Sequence, residues 1–229
     1  MTKIKLFCIP YSGSSSMYYY QWQREIHPDI MIIPIELAGK GVRQGEPGYD
    51  TFDDMVDDVY TMIASFLNDS PIAFYGHSMG ALVLYELCRR YKVDQRHTKA
   101  VIFSGIATPL YYNHSKSHKL PDNPFYEYIV SLGGVSEDVD RKEFITHFMP
   151  LIRHDFQLIE TQGFQTLERI IESEVAVFSG REDEFTIMVN EWKHCLSVIP
   201  FSRVFPGGHF FLHSERYNVI KEIEAFILK

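Results

Sequence analysis

A chain of 229 residues with net charge −8, 45% hydrophobic and 23% charged residues, has the balance of one globular domain with a sizeable core. No basic stripe offsets the acidic excess, which argues against general nucleic-acid binding, and no 18-residue apolar stretch is present to form a transmembrane helix. Three scattered cysteines, Cys8, Cys88 and Cys195, are too few for a disulfide framework or a metal cluster; Cys8 and Cys88 read as small core residues, and a reduced, cytoplasmic setting is expected.

In chain order, Met1 to Pro10 has two lysines and a short apolar run. It is too brief for a signal peptide and reads as a first strand. A flexible, hydroxyl-rich loop, Pro10 to Ser16, leads into a short helical segment around Tyr18 to Ile26. A second buried strand is expected over Ile30 to Ile35, with Pro34 pointing to a sheet edge or a bulge. After the Gly-punctuated loop Leu37 to Arg43, Thr51 reads as the N-cap of a helix whose apolar stripe is Phe52, Met55, Val56, Val59, Ile63, Phe66 and Leu67. Asp53, Asp54, Asp57 and Asp58 make its acidic side, which suits the positive end of the helix dipole and is read as structural.

The next stretch carries chemistry. Ile72-Ala73-Phe74-Tyr75 reads as a buried strand, and Ala81, Leu82, Leu84, Tyr85 and Leu87 recur at helical spacing after it. Between them stands Gly76-His77-Ser78-Met79-Gly80, a Gly-x-Ser-x-Gly in strand-turn-helix context. Such a turn is tight enough to need both glycines, and it lifts the serine hydroxyl above the sheet edge. Acyl transfer through a serine ester is the chemistry this placement suits, and it requires an acid and a histidine later in the chain, each after its own strand.

Ala100 to Ser104 is a further buried strand, and strands alternating with helices imply a mostly parallel sheet covered on both faces. From about 108 to 150 the pattern breaks into short helical pieces, Phe125 to Leu132 and Arg141 to Phe148. This insertion is read as a lid whose Phe125, Tyr128, Ile129, Phe144 and Phe148 either line an acyl site or pack on the core. The basic cluster His114, Lys116, His118 and Lys119 within it reads as a solvated loop. Leu151 to Thr161 returns to helical pattern.

Val175 to Ser179 is the strand that opens into Gly180-Arg181-Glu182-Asp183-Glu184, and Ile187 to Leu196 reads as a short helix carrying Trp192. Ser202 to Phe205 then leads into Pro206-Gly207-Gly208-His209-Phe210. Ser214 is expected to cap a final helix with the apolar face Val219, Ile220, Ile223, Phe226 and Ile227. A single domain, 1–229, is expected.

A serine hydroxyl needs a base and the base an orienting acid, so the expected catalytic residues are Ser78 as nucleophile, His209 as base and Asp183 as orienter, with Glu182 and Glu184 as competitors. The oxyanion would meet the backbone N–H of Met79 and a second N–H from the loop after the first strand, for which Ser12 is the candidate. His77 is expected to point away from the serine as a packed histidine, and no histidine spacing suggests a metal.

These segments together resemble the type II (external, editing) thioesterases that accompany nonribosomal peptide and polyketide synthases. The resemblance runs nearly end to end: Leu6 to Gly13, Ala38-Gly39-Lys40-Gly41-Val42-Arg43, Gly76 to Gly80, Leu151-Ile152-Arg153-His154-Asp155-Phe156 and Gly207 to Leu212 each match a family segment. It implies an α/β-hydrolase fold and hydrolysis of acyl or aminoacyl thioesters from the phosphopantetheine arm of carrier proteins, clearing stalled or misprimed units. It also implies a cytoplasmic monomer whose partner is a carrier domain, with no cofactor of its own, no metal, no membrane and no nucleic acid. Ser14 departs from a family glycine, and Ala38 and Lys40 replace a proline and an arginine, which bears on loop geometry and substrate selectivity. For Asp155 the resemblance suggests a structural role near the site, whereas the residue alone reads as a helix-surface acid. Three other readings stay open: a medium-chain acyl-carrier thioesterase ending fatty acid synthesis, a small-molecule carboxylesterase, and a non-catalytic carrier-binding protein.

Overall fold

The computed structural model describes residues 3–67, 70–95, 97–135, 138–167, 171–196 and 198–229. Met1 and Thr2 of the expected first strand, and 136–137 of the expected insertion, lie outside them. Among the described residues six strands form one parallel sheet: β1 (Ile4–Ile9), β2 (Ile30–Pro34), β3 (Ile72–His77), β4 (Thr98–Ser104), β5 (Glu174–Gly180) and β6 (Phe201–Phe205), in the order β2-β1-β3-β4-β5-β6. β2 is an edge strand, as Pro34 suggests, since an edge tolerates a residue with no N–H to donate.

Residues alternate across the sheet with period two, and each face meets its own layer. Phe7, Ile9, Phe74, Val101, Phe103 and Val177 pack under α2 (Phe52–Ala64) and α3 (Met79–Tyr91). Leu6, Cys8, Tyr75, Ile102 and Phe178 face the other way, into a core that includes Tyr19 of α1 (Met17–Tyr20) and the apolar side of the C-terminal helix. Both faces being covered is why these strands read as continuous apolar runs. Each fully buried phenylalanine among them contributes roughly 2–3 kcal/mol of transfer free energy.

Between β4 and β5 the chain leaves the sheet and builds a cap of short pieces: two 3₁₀ turns, α4 (Asp122–Ser131), α5 (Arg141–Glu143), a π turn over Phe144–Phe148 and α6 (Met149–Thr161). The expected insertion boundary at 150 falls inside the start of α6, which packs with the cap's own core of Phe125, Ile129, Phe144 and Met149. α6 continues from the cap's core into the main core, where Leu158 and Ile159 pack. Of the basic cluster, His114, Lys116 and Lys119 are exposed as expected, but His118 is drawn in: buried Glu160 accepts N–H bonds from Ser117 at 3.0 Å and His118 at 2.9 Å, and also the His118 imidazole. Burial pushes the Glu160 carboxyl up, but the bonds from Ser115, Ser117 and His118 outweigh it and hold the group below the usual range.

Three smaller expectations change. α2 ends at Ala64, so Phe66 lies beyond it and is partly exposed, although the Thr51–Asp54 capping box is formed. Ile187 to Leu196 begins as 3₁₀ turns over Glu184–Glu191 and becomes α-helical only at α7 (Trp192–Leu196). The final helix is split into α8 (Phe211–Ser214) and α9 (Arg216–Ile227). Ser214 is not its cap, because its hydroxyl bonds back to the Phe211 carbonyl and Glu215 takes the cap position.

Candidate active site

The strand order reverses between β1 and β3, and open α/β sheets bind ligands outside the carboxyl ends at such a point. The loop after β1 and the turn after β3 meet there. Ser78 sits at φ +53°, ψ −119°, a conformation that costs a non-glycine residue about 1–3 kcal/mol. The turn is held by Ser78 N–H on the Ser104 carbonyl at 2.8 Å. The two glycines are there for space: a Cβ on Gly76 would lie 2.3 Å from the Gly80 carbonyl oxygen, and one on Gly80 2.2 Å from that of Ile9. Met79 opens α3, so its N–H lies in the first turn, where no intrahelical acceptor exists.

The end of β5 brings Asp183, and the end of β6 brings His209. Gly180 lets the two loops close on each other, because a Cβ there would stand 2.2 Å from the Gly208 oxygen. Asp183 and His209 are both buried, and His209 Nδ1 lies 3.0 Å from Asp183 Oδ2. Asp183 Oδ1 accepts the Phe185 N–H at 3.2 Å. A carboxylate opposite Nδ1 places the proton on that nitrogen and leaves Nε2 with its lone pair. Glu182 and Glu184 are exposed, so of the three consecutive acids only Asp183 meets the histidine.

Ser78, His209 and Ser12 line one cavity of about 300 Å³. Its other walls are apolar and aromatic: Ile129, Phe144 and Phe148 from the cap, Ile152, Phe156 and Ile159 from α6, and Phe185 and Phe210 beside the histidine. The π turn presents Phe144 and Phe148 to this space, a frequent use of that irregularity. Phe125 does not line the cavity; it is fully buried in the cap core. Ser12 Oγ is buried and has no hydrogen-bond partner among the described residues.

His77 is fully buried and turned from the cavity, its Nδ1 3.0 Å from Ser104 Oγ. Burial, and then the nearby His209 and His213, push its pKa well below the usual histidine value, so it stays neutral beside the site. Asp155, the residue with two readings, is no surface acid: it is 3% exposed and accepts from Gly13 N–H and Lys40 Nζ. Nothing local in sequence announces these partners, since Gly13 lies 142 positions away. Among the described residues no group of three or more His, Cys, Asp or Glu could hold a metal, and no helix is long and apolar enough to cross a membrane.

The thioesterase domain family model matches residues 4–227. The gramicidin S biosynthesis protein GrsT of Aneurinibacillus migulanus is 30% identical over 96% of this chain and 87% of its own length. The human medium-chain S-acyl fatty acid synthase thioesterase is 27% identical over 98% of this chain and 86% of its own. Among solved structures, ClbQ from the colibactin NRPS/PKS pathway superposes with a TM-score of 0.88 at 33% identity, covering 99% of this chain and 97% of that one.

Proposed function

This chain belongs to the thioesterase domain family, and from that premise we propose that it hydrolyses acyl or aminoacyl thioesters on the phosphopantetheine arm of carrier proteins, clearing stalled or misprimed units from a nonribosomal peptide or polyketide synthase. The observation that carries the chemistry is Ser78 on a strained turn, in one cavity with a His209 already paired to Asp183. The observation that favours the pathway is the likeness to GrsT and ClbQ over nearly the whole chain.

In this mechanism His209 Nε2 takes the Ser78 proton as Oγ attacks the thioester carbonyl carbon. Asp183 holds the imidazole in the required tautomer and stabilises the imidazolium. The oxyanion is met by the N–H groups of Met79 and Ser12. Collapse breaks the C–S bond, and the departing pantetheine sulfur takes the proton from His209. A water, deprotonated by the same Nε2, then attacks the Ser78 ester; collapse releases the carboxylic acid and returns the proton to Ser78. A thioester lacks amide resonance and has a good leaving group, so the site needs no further acid. The phosphopantetheine belongs to the substrate, and the protein supplies the lid, here the cap, whose apolar walls receive the acyl group. The working unit is a cytoplasmic monomer meeting a carrier domain.

The likeness to the human medium-chain enzyme makes chain termination the second reading. Hydrolysis rates on one carrier loaded with acetyl, aminoacyl and medium-chain groups separate the two. Editing predicts appreciable turnover of the acetyl and aminoacyl carriers. A strong preference for the medium chain would instead assign the protein to termination.

A further inference from the structure

A buried carboxylate is costly unless it is paired, and the partners it chooses show what it holds. Asp155 on α6 takes both of its partners from loops remote in sequence. Its Oδ2 accepts the Gly13 N–H at 2.8 Å and the ammonium of Lys40, whose side chain is 10% exposed. One turn earlier on the same helix, Ile152 seats against Gly13, where an added Cβ would fall 2.7 Å from Ile152 Cγ1. Gly13 adopts φ +73° in a turn closed by the Ser14 N–H on the Tyr11 carbonyl at 3.1 Å, and α6 bounds its space and holds its N–H. Three residues on, Glu36 grips Ser16 through its N–H at 3.0 Å and its hydroxyl at 2.8 Å. Between these anchors the Ser15 hydroxyl accepts the Met17 N–H at 3.3 Å, and Ser12 is joined to Gly13 by one peptide bond.

We propose that Asp155 is the positioning residue for the oxyanion site: by anchoring Gly13 it holds the adjoining Ser12 N–H in place, and Lys40 keeps the carboxylate paired while it does so. The inference rests on the reading of Ser78 as nucleophile and Ser12 as second donor. An oxyanion donor works only within about 2.7–3.1 Å of the developing charge, and a displacement of about 1 Å costs on the order of 100-fold in rate. Loss of the anchor therefore reaches the transition state rather than ground-state binding. The same helix lines the cavity through Ile152, Phe156 and Ile159, so the wall that meets the acyl group and the anchor of the oxyanion loop are one rigid piece.

The test is a set of variants assayed for kcat and KM on a carrier-bound acetyl thioester, with thermal midpoints in parallel. Asp155→Leu removes the acceptor; kcat should fall about 100-fold with KM changed less than about threefold. Lys40→Met leaves a buried, unpaired carboxylate and should also lower kcat. The double change Lys40→Met with Asp155→Asn keeps a carbonyl oxygen for Gly13 without a buried charge, and should bring kcat back to within about threefold of the unaltered protein. Unchanged kcat in a folded Asp155→Leu protein, an effect confined to KM, or a double variant no better than Lys40→Met would overturn the proposal. If Asp155→Leu does not fold, the comparison of the double variant with Lys40→Met decides. Ser78→Ala is run alongside: residual full hydrolysis there would remove the serine reading itself, whereas a dead Ser78→Ala with wild-type Asp155 variants removes the anchor alone.

Discussion

The strand ends and the cap face each other across one cavity but are built differently. Ser78, Asp183 and His209 stand directly beyond β3, β5 and β6, where sheet pairing and backbone contacts at Gly76, Gly80 and Gly180 fix them. The cap is an assembly of 3₁₀, π and short α pieces joined by side chains: Phe125 edge-on to Phe156 at 5.6 Å, Arg153 over Phe125 at 4.2 Å, and Glu160 gathering the turn at 115–118. A backbone-fixed half suits chemistry that tolerates little displacement, and a side-chain-built half suits selection among acyl groups. Asp155 joins the two.

If that division is right, changes on the strand ends should alter kcat and changes on the cap should alter which acyl group is preferred. The largest effect is expected from Ser78→Ala, with thioester hydrolysis falling at least about 10⁴-fold while the far-ultraviolet circular dichroism stays unchanged. Asp183→Asn comes next, at about 10³-fold in kcat from loss of the required histidine tautomer. Glu182→Gln and Glu184→Gln should each stay within about twofold, and a comparable loss from either would move the acid to that residue. On the cap, Phe156→Leu should shift the medium-chain to acetyl ratio of kcat/KM by about tenfold. An equal fall for every acyl group would blur the distinction between the halves.

The smallest effect concerns stability. The folded chain refuses a proton at His77 that the unfolded chain binds near pH 6.5, and burial lowers the pKa of His213 in the same direction. Because the unfolded state binds more protons, stability should fall as pH drops below about 6.5, by up to about 1.4 kcal/mol per unit from the fully buried His77, with a smaller contribution in the same direction from the solvent-screened His213. Urea denaturation at about pH 7.5 and 5.5 measures the slope, and His77→Gln should flatten it by one proton's worth. A slope unchanged by that substitution would mean His77 is not the group titrating.

The same division explains what was legible in the sequence. The elbow is legible because Gly76, Ser78 and Gly80 are local; Asp183 can be placed because it follows the buried apolar run of β5, and His209 because the Gly-rich turn before it follows a short strand-like run, which the fold makes an exposed edge strand. Pro34 marked an edge and Thr51 a cap for equally local reasons. The cap resisted: its elements are too short to show a clean period, and the boundary at 150 cut α6 because Pro150 is well tolerated in a first helical turn. Taken alone Asp155 reads as a helix-surface acid, and nothing local marks Glu36 or Glu160, since a buried carboxylate is recognised by partners that only the fold brings near. Ser214 has the residue type of a cap but stands one position before the true cap, Glu215.

The central claim is that the acyl group passes through Ser78. Rapid quenching of the protein during turnover of an acetyl-carrier thioester, followed by mass spectrometry of the peptide containing Ser78, tests it directly. The account predicts a transient acetyl increment on Ser78 that accumulates when deacylation is slowed and is absent in Ser78→Ala. Hydrolysis at an undiminished rate in Ser78→Ala, or an acyl increment on any other residue, would contradict it.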